Sequence, residues 1–134
     1  MAKKILYIED EIYISEIYAR SLSKIGYEVT LVKDGKKGLE MAQTNQYDIV
    51  LLDLMLPSLP GVEILKILRD PKQSPNFHSR IIITTNLAER RSVQAEIERQ
   101  ADGYFIKAST TPKQLAEFIK QVNIAGTDTP KPAN

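Results

Sequence analysis

The residues of this chain that could do chemistry stand where apolar runs end. Asp53 closes "YDIVLLD", an aliphatic stretch from Ile49 to Leu52 that stops at a carboxylate before Leu54, Met55 and Leu56. An ionised Asp inside an apolar strand is costly unless it is paired or bound to metal. Asp53 is therefore a strand end meeting water, a reactive group, or both. Glu9, Asp10 and Glu11 follow "KKILYI", Thr84 and Thr85 close "RIIITT", and Lys107 closes "GYFIK". Singly, an acid at a strand end usually faces solvent or caps the next helix, and threonines are ordinary strand formers. Together they form a chemical set. Two carboxylates about 4 Å apart repel by roughly 4 kcal/mol at an effective dielectric near ~20, so a cluster needs protons or a cation. Mg2+ takes carboxylate, carbonyl and water oxygens and keeps several waters, which leaves positions for phosphate oxygens. A carboxylate can also attack phosphorus to form an aspartyl phosphate, whose oxygens a Lys and a Thr hydroxyl can bind.

The elements that must position these groups follow from periodicity. "KKILYI" (Lys3–Ile8) predicts a strand, and from Glu11 to Ile25 the apolar residues Ile14, Ile17, Tyr18, Leu22 and Ile25 recur at helical spacing until Gly26 stops the helix. "YEVTLV" (Tyr27–Val32) alternates as a strand does, and "DGKKGLEMAQTN" predicts a helix with Leu39 and Ala42 inward. The continuous run before Asp53 marks a central strand buried on both faces. Pro57 and Pro60-Gly61 are breakers, and "VEILKILRD" (Val62–Asp70) is a helix that ends before Pro71. After the loop "PKQSPNFHS" come the strand Arg80–Thr85, a highly charged helix Ala88–Gln100 and the short strand Gly103–Lys107. The last helix opens with Thr111 as cap and Pro112 in its first turn, and places Leu115, Phe118, Ile119 and Val122 on one stripe. Five strands alternating with five helices predict a mostly parallel sheet covered on both faces. Five units favour the flavodoxin-like order 2-1-3-4-5 over the Rossmann one. In such a sheet the functional crevice lies beyond the carboxyl ends of the strands, where Glu9, Asp10, Asp53, the threonines and Lys107 would meet.

Composition narrows the function classes. The 134 residues fit one domain, and 43% hydrophobic with 26% charged residues is an ordinary globular balance. A net charge of +1 points to neither nucleic acid nor an anionic membrane. The absence of Cys removes disulfides, thiolate metal sites and a Cys nucleophile. No apolar run is long enough for a membrane span or a signal h-region, so the chain is expected in the cytoplasm. No G-x-G-x-x-G follows the first strand, which disfavours a dinucleotide-binding dehydrogenase. A phosphohydrolase of the haloacid-dehalogenase kind would need a second Asp two positions after the nucleophile, where this chain has Met55. The single His78 lies in a Pro-rich loop and is expected to be solvated.

The pieces "ILYIEDE", "DIVLLDLMLPSLPGVEIL", "RIIITT" and "ADGYFIK", in that order and spacing, resemble the receiver domain of two-component response regulators, from Lys3 to about Ile124. The resemblance implies a receiver domain over residues 1–125 followed by a tail or linker stub at 126–134. It implies that Asp53 accepts a phosphoryl group from a histidine kinase or histidine phosphotransfer protein. Glu9, Asp10 and Asp53 would hold Mg2+, with the Met55 backbone carbonyl completing the protein ligands. Thr85 would be the switch hydroxyl, Lys107 would pair with a phosphoryl oxygen, and Tyr104 would be the aromatic whose rotamer reports the switch. Such a domain is a signalling module and not an enzyme beyond its own phosphorylation and dephosphorylation. Its output would run through the face made by the fourth helix, fifth strand and fifth helix (the α4-β5-α5 face), which binds partners or self-associates. Direct nucleic-acid binding and membrane contact are not expected.

Three positions depart from the family pattern. Ala108 follows the Lys where a cis proline is usual, Asn86 follows the switch Thr where Ala or Gly is common, and Glu9 stands for the commoner Asp. A cis bond before Ala would cost ~3 kcal/mol, so the turn after Lys107 is either trans and repositioned or cis and strained. The first two departures keep open a degenerate receiver that binds partners without phosphorylation.

Overall fold

The strand Ile49–Asp53 is wholly buried, as its uninterrupted apolar run requires, and the rest of the molecule is arranged around it. The computed structural model describes residues 3–85 and 99–125. In chain order these form β1 (Lys4–Ile8), α1 (Ile12–Lys24), β2 (Glu28–Val32), α2 (Gly35–Ala42), β3 (Ile49–Asp53), α3 (Gly61–Arg69), β4 (Arg80–Thr85) and β5 (Gly103–Ile106). A 3-10 turn at Lys107–Ser109 then leads to the C-terminal helix (Pro112–Ala125). The strands make one parallel sheet in the order β2-β1-β3-β4-β5, the flavodoxin-like arrangement expected. Of the expected fourth helix only Arg99 and Gln100 are described, and both are helical; the expected tail at 126–134 lies outside the described residues.

Strand alternation sorts the core into two layers. Leu6, Ile8, Val50, Leu52, Ile81 and Ile83 face α2 and α3, where they meet Ala42, Ile64, Leu65 and Leu68. Ile5, Tyr7, Ile49, Leu51, Ile82 and Phe105 face α1 and the C-terminal helix, against Tyr18, Leu22, Leu115, Phe118, Ile119 and Val122. Ile17 and Ile25 leave the stripe predicted for α1 and are 54% and 39% exposed. The buried line of α1 runs through Ser15, Tyr18, Ala19 and Leu22, and Ile17 sits about 100° round the helix from Tyr18. Ile25 lies past the last turn, at the C-cap.

The exit from α1 is set by Gly26, whose φ is +102°. With that left-handed residue in place, Gly26 N–H donates to the Ser23 carbonyl at 3.1 Å and Tyr27 N–H to the Leu22 carbonyl at 3.2 Å. This is the Schellman closure, which satisfies the last helical carbonyls and turns the chain into the next strand. No helix among the described residues is long and apolar enough to cross a membrane.

Candidate functional site

Register brings the acids together. β1 pairs with β3 so that Ile8 lies beside Leu52, and Glu9 N–H extends the ladder to the Val32 carbonyl at 2.9 Å. Glu9 is thereby fixed next to Asp53, and Asp53 in turn is paired with Thr84 of β4. Carboxylate oxygens of Glu9, Asp10 and Asp53 lie within 4.8 Å of one another. Glu9 and Asp53 are buried, and Asp10 is exposed at the rim.

Lys107 arrives from β5 on the same face of the sheet. Its ammonium is 3.0 Å from Glu9 Oε1, 3.1 Å from Asp53 Oδ1 and 3.4 Å from Glu11 Oε1. The Met55 N–H donates to Asp53 Oδ1 at 3.2 Å, which fixes the carboxylate from the loop side. Asp53 Oδ2 is buried and accepts no hydrogen bond. The hydroxyls of Tyr7 and Thr84 are likewise buried without hydrogen-bond partners.

Burial, and after it the charge of Asp53, pushes the Glu9 carboxyl up to about 8. Asp53 is also raised by burial, with Lys107 pulling the other way. For Lys107, burial disfavours the ammonium, yet the negative charges of Asp53 and Glu9 prevail and hold it above an ordinary lysine. One ammonium among clustered carboxylates leaves negative charge to be met by protons or a cation. Hard oxygen donors gathered in a partly buried acidic cluster fit a small divalent cation such as Mg2+.

Thr85 is fully buried and falls on the sheet face of Ile81 and Ile83, one residue beyond the Asp53–Thr84 pair. Tyr104 pairs with Ile83 and packs against that same layer. The side chain of Met55 is 60% exposed. No cis peptide bond occurs among the described residues, so the chain after Lys107 takes the trans alternative, as a 3-10 turn. Asn86 lies outside the described residues. His78 is exposed, as expected.

Gly61 and Tyr18 also matter to this geometry. Gly61, read as a breaker, begins α3 against the end of β3: a Cβ there would sit 2.1 Å from the Asp53 carbonyl oxygen, and its N–H donates to the Leu54 carbonyl at 2.9 Å. Tyr18, read as a core residue, directs its hydroxyl to the turn after Lys107. The signal for Gly61 was its place soon after the acid; for Tyr18 there was none.

The fold and the site together define a class, the doubly wound α/β domain with an acid-and-lysine pocket at the carboxyl edge of its sheet. The family model for the response regulator receiver domain matches residues 5–120. The chain belongs to that family. It is 37% identical over 89% of its length to the response regulator ArlR of Staphylococcus saprophyticus, covering 50% of that protein. It is 33% identical over 91% of its length to PhoP of Bacillus subtilis, the alkaline phosphatase synthesis transcriptional regulatory protein, covering 49% of it. The chain thus spans about half the length of these curated relatives. Among solved structures, the chemotaxis response regulator CheY4 of Vibrio cholerae superposes with a TM-score of 0.77 at 27% identity, over 91% of this chain and 99% of that one. The receiver domain of the Francisella response regulator 1452 gives 0.74 at 29% identity, over 91% and 94%.

Proposed function

We propose that this chain is a phosphorylation-switched receiver module in which Asp53 accepts a phosphoryl group from the phosphohistidine of a histidine kinase or histidine phosphotransfer protein. The observation that carries the reading is the asymmetry of the Asp53 carboxylate. Its Oδ1 is held by Lys107 and the Met55 N–H, while its buried Oδ2 is bound by neither. Oδ2 is the oxygen with a lone pair to spend. Its attack on phosphorus forms an acyl phosphate as the phosphorus–nitrogen bond of the donor breaks, and the imidazole leaves with that electron pair. Lys107, already beside Asp53, neutralises phosphoryl oxygens as they arrive. Glu9, Asp10, Asp53 and the Met55 carbonyl are the proposed ligands of Mg2+, which supplies charge neutralisation on the transferring group when bound.

Thr85 and Tyr104 are the proposed switch pair, supported by the burial of Thr85 and the partly buried packing of Tyr104 on one sheet face of neighbouring strands. The proposed output is the face formed by residues 88–100, β5 and the C-terminal helix. Changes of amide NMR shifts there on adding Mg2+ and beryllofluoride test that assignment; an unchanged spectrum would remove it. Incubation with acetyl phosphate or phosphoramidate and Mg2+, followed by intact mass, tests the central claim. Uptake of one phosphoryl group is expected, and none in Asp53→Asn. Absence of uptake in the unsubstituted chain would turn the reading to phosphorylation-independent partner binding.

A further inference from the structure

Lys107 is delivered to the acids by a short 3-10 turn, and what holds that turn comes from a distant part of the chain. Tyr18, in the middle of α1, is only 5% exposed. Its ring meets Phe105 edge-on, with centroids 5.6 Å apart and planes at 67°. From there the hydroxyl donates to the Thr110 carbonyl at 2.6 Å and lies 3.3 Å from the Lys107 carbonyl. These two carbonyls bracket the turn. A hydroxyl carries one proton, so the short contact is the main bond and the longer one a secondary attraction. Both carbonyls are nevertheless drawn to a single point on α1. Ser21, further along the same helix, adds a second tie to the Pro112 carbonyl at 3.3 Å.

The helix that makes these ties is also the one that begins next to Glu9, Asp10 and Glu11. Glu11 is its N-cap residue, and the Glu11 N–H donates to Glu9 Oε2 at 3.3 Å. α1 therefore holds both halves of the pocket: the acids at its first turn and the lysine-bearing turn at its middle. We infer that Tyr18 is a positioning residue for Lys107, its hydroxyl clamping the turn 107–110 to α1 and so setting where the ammonium meets Asp53. This inference rests on Asp53 being the phosphoacceptor. Tyr18 touches neither the donor nor the phosphoryl group; it acts through the lysine.

Tyr18→Phe keeps the ring in its packed place and removes only the donor. The test compares the unsubstituted chain with Tyr18→Phe for the rate of phosphoryl uptake from acetyl phosphate at saturating Mg2+, and for Mg2+ affinity by calorimetry. The maximal uptake rate should fall by up to about a hundredfold, the loss that a ~1 Å misplacement of a reacting group can cause, while Mg2+ is bound no more weakly. A purely structural role would lower uptake and Mg2+ affinity together, and that result would overturn the inference. So would an unchanged rate. No uptake by the unsubstituted chain would overturn the phosphoacceptor reading and this inference with it, whereas normal uptake by both proteins would overturn only this one.

Discussion

Lys107 Nζ lies 3.1 Å from Asp53 Oδ1, and the two side chains are 4% and 1% exposed. The same ammonium is 3.0 Å from Glu9 Oε1, so one cation serves two buried acids. Lys107→Met would leave Glu9 and Asp53 facing each other with no cation between them. Removing one partner of a buried ion pair costs about 3 kcal/mol or more, lessened where the acids take up protons. We expect the variant to lose stability in chelator and to regain more of it than the unsubstituted chain does when Mg2+ is added. Denaturant titrations with and without Mg2+ check this. Equal stabilisation of the two proteins by Mg2+ would contradict it.

Gly61 and Gly26 are glycines for different reasons, and their alanine variants should separate accordingly. At Gly61 a Cβ would collide with the Asp53 carbonyl at 2.1 Å and the Leu54 Cα at 2.7 Å. Gly61→Ala must displace the loop that carries the acid, at about 2 kcal/mol and with loss of phosphoryl uptake. At Gly26 nothing lies within 4 Å, but φ is +102°. Gly26→Ala should cost about 1 kcal/mol from backbone conformation alone and leave uptake intact. Uptake that survives in Gly61→Ala would remove the link between α3 packing and the acid.

Asp102 holds the start of β5 to its surroundings. Its Oδ2 accepts from the Ile81 N–H at 2.7 Å and from Arg69 at 2.8 Å, and its Oδ1 faces Arg80 at 3.4 Å. Arg69 also donates from Nε to the Gln100 carbonyl at 2.7 Å, so one arginine joins α3 to both sides of the strand's entry. Asp102→Ala leaves a strand N–H and two part-buried guanidinium groups without their acceptor, at about 3 kcal/mol. Asp102→Asn keeps an acceptor for Ile81 and should lose less. Urea midpoints that are the same for Ala and Asn would show that the backbone contact contributes nothing.

The cap of α2 gives a prediction in pH. Asp34 accepts from Lys37 N–H at 2.8 Å and from the Ser58 hydroxyl at 2.6 Å. The Ser58 bond first, and the Lys37 N–H next, hold its carboxyl below the ordinary 3.8. The folded state thus favours the ionised form, so the contribution is present above the unfolded value and is lost as pH falls through the folded one. The difference in melting temperature between the unsubstituted chain and Asp34→Ala should be full above about pH 5 and shrink as the medium becomes more acid than the unfolded carboxyl. A difference that grows on acidification would contradict the sign.

What could be read along the chain was what depends on near neighbours. The unbroken run Ile49–Leu52 forced a strand buried on both faces, and the β-α alternation with five units led to the observed strand order. Since strand ends share one edge in such a sheet, Glu9, Asp10, Asp53 and Lys107 could be gathered before any coordinate was known. The ties that aim these groups could not. Tyr18 and Thr110 are 92 residues apart, and on α1 a buried tyrosine has the same periodic signature as a leucine. Asp102 looks like any polar residue before a strand, because its value lies in Arg69 and Arg80, which reach it from other elements. The exposure of Ile17 was missed for a related reason. Helical spacing identifies a stripe, but which side of the stripe is covered depends on where Tyr18 and the C-terminal helix pack.

The two sheet faces divide the labour of the pocket. Glu9, Asp53, Thr84 and Lys107 belong to one, and Thr85 and Tyr104 to the other. On the proposed function, the sheet separates the side where the phosphoryl bond would form from the side that carries the proposed switch pair. On that reading, one main-chain link between the two is the hydrogen bond from the Leu54 N–H to the Thr84 carbonyl, 3.3 Å long. A change in the backbone at Thr84 or Thr85 would alter that link.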